Sequence, residues 1–250
     1  MTWAQHICGE GPPLILLHGW GMESRIFGPW LPQLASHFTC ICLDLPGHGA
    51  SSCAAGLFWD RSLDELAQIL AAWSRPHLLG WSLGGLLALG LALRQPLNLA
   101  SLQLVASSPC FVQRPDWPSA LPEATLAEFA ERLCRDPSAT RQRFLALQIL
   151  GDPAARARLP DTRQWPLPDR RCLQGGLDIL ATQDLRSILR PLDYPVTILQ
   201  GGRDRIVPPA APAAMAAALG ARYGLLADAG HAPFLSDPVA CSRYLLEILS

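Results

Sequence analysis

Leu79-Gly80-Trp81-Ser82-Leu83-Gly84-Gly85-Leu86-Leu87-Ala88 reads as the end of a buried strand, a Gly-x-Ser-x-Gly turn and the start of a helix. That order is the sequence pattern of a nucleophile elbow, in which a serine is held on a sharp strand-to-helix turn with its hydroxyl presented. Gly80 and Gly84 omit the side chains that would keep strand and helix apart there. Gly-x-Ser-x-Gly alone also arises in ordinary glycine-rich loops, so the weight falls on context. Leu78 and Leu79 are apolar before the turn, and Gly84 through Leu93 follow with helical, small-residue character.

A serine hydroxyl becomes a useful nucleophile only when a base takes its proton, and that base needs a carboxylate to hold its tautomer and steady its charge. With this elbow the partners are expected in the chain order serine, acid, histidine, each on a loop after a late strand. Tyr194 to Gln200 reads as a buried strand, and the loop after it carries Asp204 in Gly202-Arg203-Asp204. Arg222 to Leu226 reads as a last strand, followed by Gly230-His231-Ala232-Pro233-Phe234. Ser82, Asp204 and His231 are therefore the expected catalytic residues. Asp178, Asp184, Asp228 and Asp237 are the rival acids, and Asp228 lies too near His231 along the chain for a separate-loop partner. Structural roles are expected for His6, His37, His48 and His77. His18 opens His18-Gly19-Trp20-Gly21 after the apolar run Leu14 to Leu17. That loop suits the second half of an oxyanion hole, with backbone N–H groups of Trp20 and Leu83 meeting the negative oxygen of an acyl-transfer intermediate.

The 250 residues are half hydrophobic, enough for one large core, and the net charge of −1 gives no overall attraction to nucleic acid or membranes. No run is long and apolar enough to span a bilayer, and no charged, then apolar, leader pattern opens the sequence, so a cytoplasmic location is expected. The eight cysteines are scattered without a Cys-x-x-Cys pair, and reduced, buried thiols are the expectation. All 20 cationic side chains are arginine. The absence of lysine excludes Schiff-base chemistry and a phosphate-loop lysine. Nine arginines against four acids fall between Arg132 and Arg171, a locally basic segment that reads as a solvated helical face or as a docking patch for an acidic partner.

Strand-like and helix-like segments alternate from Leu14 to Ala106, which means a parallel sheet covered on both faces. The alternation stops at Pro109. Helical patterns at Leu121 to Cys134 and Ser138 to Leu150, broken by prolines, continue to about Thr182, and the strand pattern returns at Tyr194. The expected organisation is a core of residues 1–108 and 184–250, with residues 109–183 forming a helical lid over the carboxyl end of the sheet.

His18-Gly19-Trp20-Gly21, Asp44-Leu45-Pro46-Gly47-His48-Gly49, the elbow, Gly202-Arg203-Asp204 and Gly230-His231 together resemble the α/β-hydrolase family over the whole chain. Val105-Ala106-Ser107-Ser108-Pro109-Cys110-Phe111, Phe144-Leu145-Ala146-Leu147-Gln148 and Gly175-Gly176-Leu177 are similar, more narrowly, to the carboxylesterases of biotin synthesis that act on pimeloyl-[acyl-carrier protein] methyl ester. The resemblance implies a mostly parallel sheet with helices on both faces and a helical lid inserted after the sixth strand. It implies substrate contacts from Trp20, Phe144, Leu145, Ala146, Leu147 and Gln148. Arg141, Arg143, Arg156 and Arg158 would dock an acyl carrier protein, with Arg141 chosen only for lying in the same patch. No cofactor or metal is implied, and a monomer is expected. A general short-chain esterase or cofactor-free perhydrolase would use the same three residues without a carrier, and a binding protein on the same fold would use none of them. Serine at the elbow speaks against dehalogenases and epoxide hydrolases, which carry aspartate there.

Overall fold

In the computed structural model, which describes residues 3–53 and 55–247, seven strands form one sheet. In chain order the elements are β1 (Gln5–Cys8), β2 (Pro13–Leu17), α1 (Leu31–Leu34), β3 (Thr39–Leu43), α2 (Trp59–Ala71), β4 (His77–Trp81), α3 (Leu83–Arg94) and β5 (Ser101–Val105). There follow α4 (Glu123–Arg135), α5 (Pro137–Gln148), α6 (Pro153–Arg158) and α7 (Arg170–Thr182). The chain then returns to the sheet with β6 (Val196–Gly201), α8 (Ala210–Leu219), β7 (Arg222–Leu226), α9 (Pro233–Ser236) and α10 (Pro238–Leu246). The strand order is β1-β3-β2-β4-β5-β6-β7, parallel throughout except for β1, which pairs antiparallel with β3.

The sheet is covered on both sides because successive side chains of its central strands enter two different apolar clusters. Ile15 and Leu17 of β2, Ile41 and Leu43 of β3, and Leu102 and Leu104 of β5 pack with α2 and α3. Leu14, Leu16, Cys40, Cys42, Leu79 and Trp81 pack on the other side with Phe27, Trp30 and Phe234. In α2, Leu63, Leu66 and Leu70 make a one-sided stripe. By contrast α3 is buried all round from Leu83 to Leu93, because α2 closes its outer side and the Trp59 indole lies where a Cβ on Gly90 would stand.

Three expectations need correction. Among the described residues five strands, not six, precede α4, since the segment before β2 supplies a single antiparallel strand. That strand, β1, is short and mostly exposed, so it carries no alternating apolar pattern to announce it. The thiols are also not all reduced: Cys53, in the loop after β3, and Cys172, on α7, form a disulfide across 119 residues. Folding brings the two segments together, which spacing along the chain could not reveal. Cys40 and Cys42 do behave as inert buried thiols, and burial pushes Cys40 up to about 12 and Cys42 higher still. The third correction concerns Arg141 and is described with the site.

Candidate active site

β4 ends at Trp81 and α3 begins at Leu83, so Ser82 alone makes the turn between them, with φ 56° and ψ −119°. A non-glycine residue in such a conformation costs about 1–3 kcal/mol and survives only where its surroundings impose it. They do so here. The Ser82 N–H donates to Val105 O at 3.0 Å, and Ser107 Oγ donates to Ser82 O at 2.9 Å. A Cβ on Gly80 would stand 2.4 Å from Gly84 O, and one on Gly84 would stand 2.5 Å from Leu17 O. Both glycines are thus required by close backbone approach.

The turn aims Ser82 at the loops after β6 and β7. Ser82 Oγ lies 2.9 Å from His231 Nε2, and His231 Nδ1 lies 2.8 Å from Asp204 Oδ2. Asp204 can only accept there, so Nδ1 carries the proton and Nε2 is left to accept from the Ser82 hydroxyl. Asp204 is fixed from three further directions: Oδ1 accepts from the N–H groups of Ile206 and Val207 at 2.8 and 2.9 Å, and Oδ2 accepts from Gln200 Nε2 at 2.9 Å. Trp81 Nε1 donates to His231 O at 2.8 Å. Ser82 and His231 are each 1% exposed and Asp204 is 6% exposed, so all three are shielded from water.

The rival acids are engaged elsewhere. Asp228 pairs with Arg203, Asp184 with Arg186, Asp178 accepts from Gln174, and Asp237 caps α10. Gln200 and Ser107 were not anticipated. Gln200 left one signal, a polar side chain near the end of a mostly apolar strand, four residues before Asp204.

The loop after β2 lies against the elbow, where a Cβ on Gly19 would come 3.1 Å from Ser82 Cβ. Trp20 is held by its indole, which donates to Leu173 O on α7 at 2.8 Å. The backbone N–H groups of Trp20 and Leu83 meet no acceptor among the described residues. His18 braces this loop in one neutral tautomer: Nδ1–H donates to Gly19 O at 2.8 Å and Nε2 accepts from Leu45 N–H at 2.9 Å. Burial lowers its pKa to about 4. His48, its ring 5.3 Å from that of His18, is pushed down to about 3, first by burial and then by His18.

Helix α5 reaches this loop. The Phe144 ring packs edge-on against Trp20 at 4.9 Å and against Phe129 of α4 at 5.6 Å. Leu145 and Gln148 are buried, Leu147 is half-buried and Ala146 is exposed. Phe144 belongs to the apolar cluster that contains Trp20, Leu145 to the one that contains Trp81 and Phe234, and Ala146 faces solvent, so the five residues do not all face one apolar cluster.

Of the four arginines expected to dock a partner, Arg143 and Arg156 are exposed. Arg158 is exposed too, but its guanidinium donates to Ser236 O at 2.9 Å and to Leu235 O at 3.3 Å, tying α6 to α9. Arg141 does not fit the expectation. It is 7% exposed and donates to Pro166 O at 3.1 Å and Thr162 O at 3.0 Å. Those two carbonyls, from chain 21 and 25 residues away, pull it inside. Asp169 lies beside the Cys53–Cys172 pair, but both sulfurs are spent in the disulfide and the carboxylate pairs with Arg171 at 3.0 Å.

The sequence model of the alpha/beta hydrolase family matches residues 14–243. A pimeloyl-[acyl-carrier protein] methyl ester esterase of Aeromonas hydrophila subsp. hydrophila is 43% identical, with 92% of each chain covered. One of the same name from Klebsiella pneumoniae subsp. pneumoniae is 42% identical, covering 98% of this chain and 96% of the relative. Among solved structures, a hydrolase from Pseudomonas aeruginosa superposes with a TM-score of 0.84 at 26% identity, covering 99% of this chain and 94% of that one.

Proposed function

Since the chain belongs to the alpha/beta hydrolase family, we propose that it is a serine carboxylesterase that hydrolyses the methyl ester of pimeloyl-[acyl-carrier protein], releasing methanol. The observation that carries ester hydrolysis is the buried hydrogen-bonded line from Ser82 through His231 to Asp204. The choice of substrate rests on relatives more than 40% identical over nearly their full length.

Ser82 Oγ attacks the ester carbonyl while His231 Nε2 takes its proton, and Asp204 steadies the imidazolium. The N–H groups of Trp20 and Leu83 receive the oxyanion, a contribution of about 10²–10³ in rate for each such donor. His231 then protonates the departing methanol. Water attacks the acyl-enzyme, His231 serves as base again, and the acid leaves as Ser82 recovers its proton. Trp20 and Phe144 line the acyl site, with Leu145, Leu147 and Gln148 behind them.

The burial of Ser82 and the contact of Phe144 with Trp20 support reading residues 109–183 as a lid that moves to admit substrate. An acyl carrier protein bearing the pimeloyl ester is the partner, docked by the exposed Arg143 and Arg156 so that the thioester stays outside and the distal ester reaches Ser82. We place the protein in the cytoplasm as a monomer. Among the described residues no helix is long and apolar enough to cross a membrane.

Methanol release from the carrier ester, measured beside p-nitrophenyl butyrate hydrolysis for wild type and Ser82→Ala, tests this reading. A clearly higher kcat/KM on the carrier ester, abolished by Ser82→Ala, is expected. Turnover of the small ester alone overturns the carrier substrate.

A further inference from the structure

Asp152 lies in the turn between α5 and α6, 3% exposed, and its two oxygens serve two different parts of the molecule. Oδ1 accepts from Ala155 N–H at 2.8 Å and so caps α6. Oδ2 accepts from the N–H of Gly230 at 2.8 Å and from Ser236 Oγ. Gly230 immediately precedes His231, and Ser236 closes α9 just beyond it. A second bond runs beside the first, from His231 N–H to Gln148 O at the end of α5, at 3.1 Å. The N–H groups of Gly230 and His231, and the Ser236 hydroxyl beyond them, are therefore held by the helical segment, while the imidazole itself spans Ser82 and Asp204.

We propose that Asp152 is a positioning residue for His231, through which the seating of α5 and α6 sets the alignment of the proposed base. The chemistry of the pair demands a carboxylate. Two N–H donors, from Ala155 and Gly230, approach different oxygens, and an amide side chain offers one oxygen and one N–H₂ group. Asparagine would turn a donor toward a donor at one of the two places. A serine at this position would still cap α6, but its hydroxyl is too short to reach Gly230, leaving that buried N–H without an acceptor. The consequence is local to the reacting proton: a histidine displaced by about 1 Å is poorly placed to take a proton from Ser82, although the pocket that binds the acyl chain is unaltered.

The inference rests on the proposed triad and not on the carrier substrate, so it is read with p-nitrophenyl butyrate. Asp152→Asn and Asp152→Ser are compared with wild type for kcat and KM, for the rate of Ser82 labelling by a fluorophosphonate, and for thermal midpoint and near-ultraviolet dichroism. The expected result is a fall of at least tenfold in kcat and in labelling rate for both variants, with KM within twofold and the native dichroism retained. A kcat within twofold of wild type in either variant overturns the proposal. So does a rise in KM at unchanged kcat, or an activity loss in both variants that only follows a loss of native dichroism. Wild-type activity lost in Ser82→Ala on the same ester confirms the chemistry beneath the test, while inactivity of the wild type on this ester defeats the triad reading instead.

Discussion

Replacing His48 by phenylalanine should flatten the acid dependence of stability. His48 is fully buried, its Nδ1–H donates to Pro46 O at 3.0 Å, and its Nε2 meets no partner among the described residues. The titratable and charged groups facing it are those of His18, Asp44 and Arg141, and burial dominates them in pushing its pKa down to about 3. In the unfolded chain the group titrates near 6.5. Because the folded value lies below the unfolded one, the unfolded state takes up the proton first as pH falls. The stabilisation is therefore complete above about pH 6.5 and is lost on acidification toward about pH 3. The slope is half-developed at pH 6.5 and approaches about 1.4 kcal/mol per pH unit below it, so wild type loses about 2 kcal/mol through His48 between pH 6.5 and 4.5. The phenylalanine variant escapes that loss, although it still bears the loss from His18, which has the same sign and extends to about pH 4. The lost bond to Pro46 and any packing cost are independent of pH and cancel in the slope. Urea unfolding of both proteins at pH 6.5, 5.5 and 4.5 measures the difference directly. A gap between variant and wild type that stays constant across the three pH values refutes the assignment of His48 as a buried neutral base.

Gly84→Ala should lose at least about 2 kcal/mol in thermal or urea unfolding, together with fluorophosphonate labelling, since its Cβ would press on Leu17 O at 2.5 Å and shift the elbow. Reduction of the Cys53–Cys172 disulfide should cost about 5 kcal/mol on chain-entropy grounds for a loop of 119 residues. Denatured, unreduced protein should expose six reactive thiols, against eight after reduction. Arg141→Ala should destabilise by about 2–4 kcal/mol, by orphaning the carbonyls of Thr162 and Pro166 and opening a void, and should leave KM for the carrier ester within twofold. Charge reversal at Arg143 and Arg156 should instead raise KM for the carrier ester several-fold and leave p-nitrophenyl butyrate nearly untouched; equal effects on the two substrates contradict a docking role.

The sequence by itself determined the elbow, the alternating core and the order of Ser82, Asp204 and His231. These are local constraints. Gly80 and Gly84 are needed within a few residues of Ser82, and the buried strands β2, β3, β4 and β6 announce themselves by short, mostly apolar runs that end where loops must begin. β1 escaped because a four-residue exposed edge needs no apolar pattern, and the alanine-rich α8 because it carries almost no amphipathic contrast. Tertiary structure alone decided the rest. Cys53 meets Cys172, Arg141 turns inward to two distant carbonyls, and Asp152 reaches Gly230 across 78 residues. A polar or charged side chain is not committed to the interior by its own chemistry. What buries it is a partner of matching donors or acceptors, and only the folded chain brings that partner within about 3 Å.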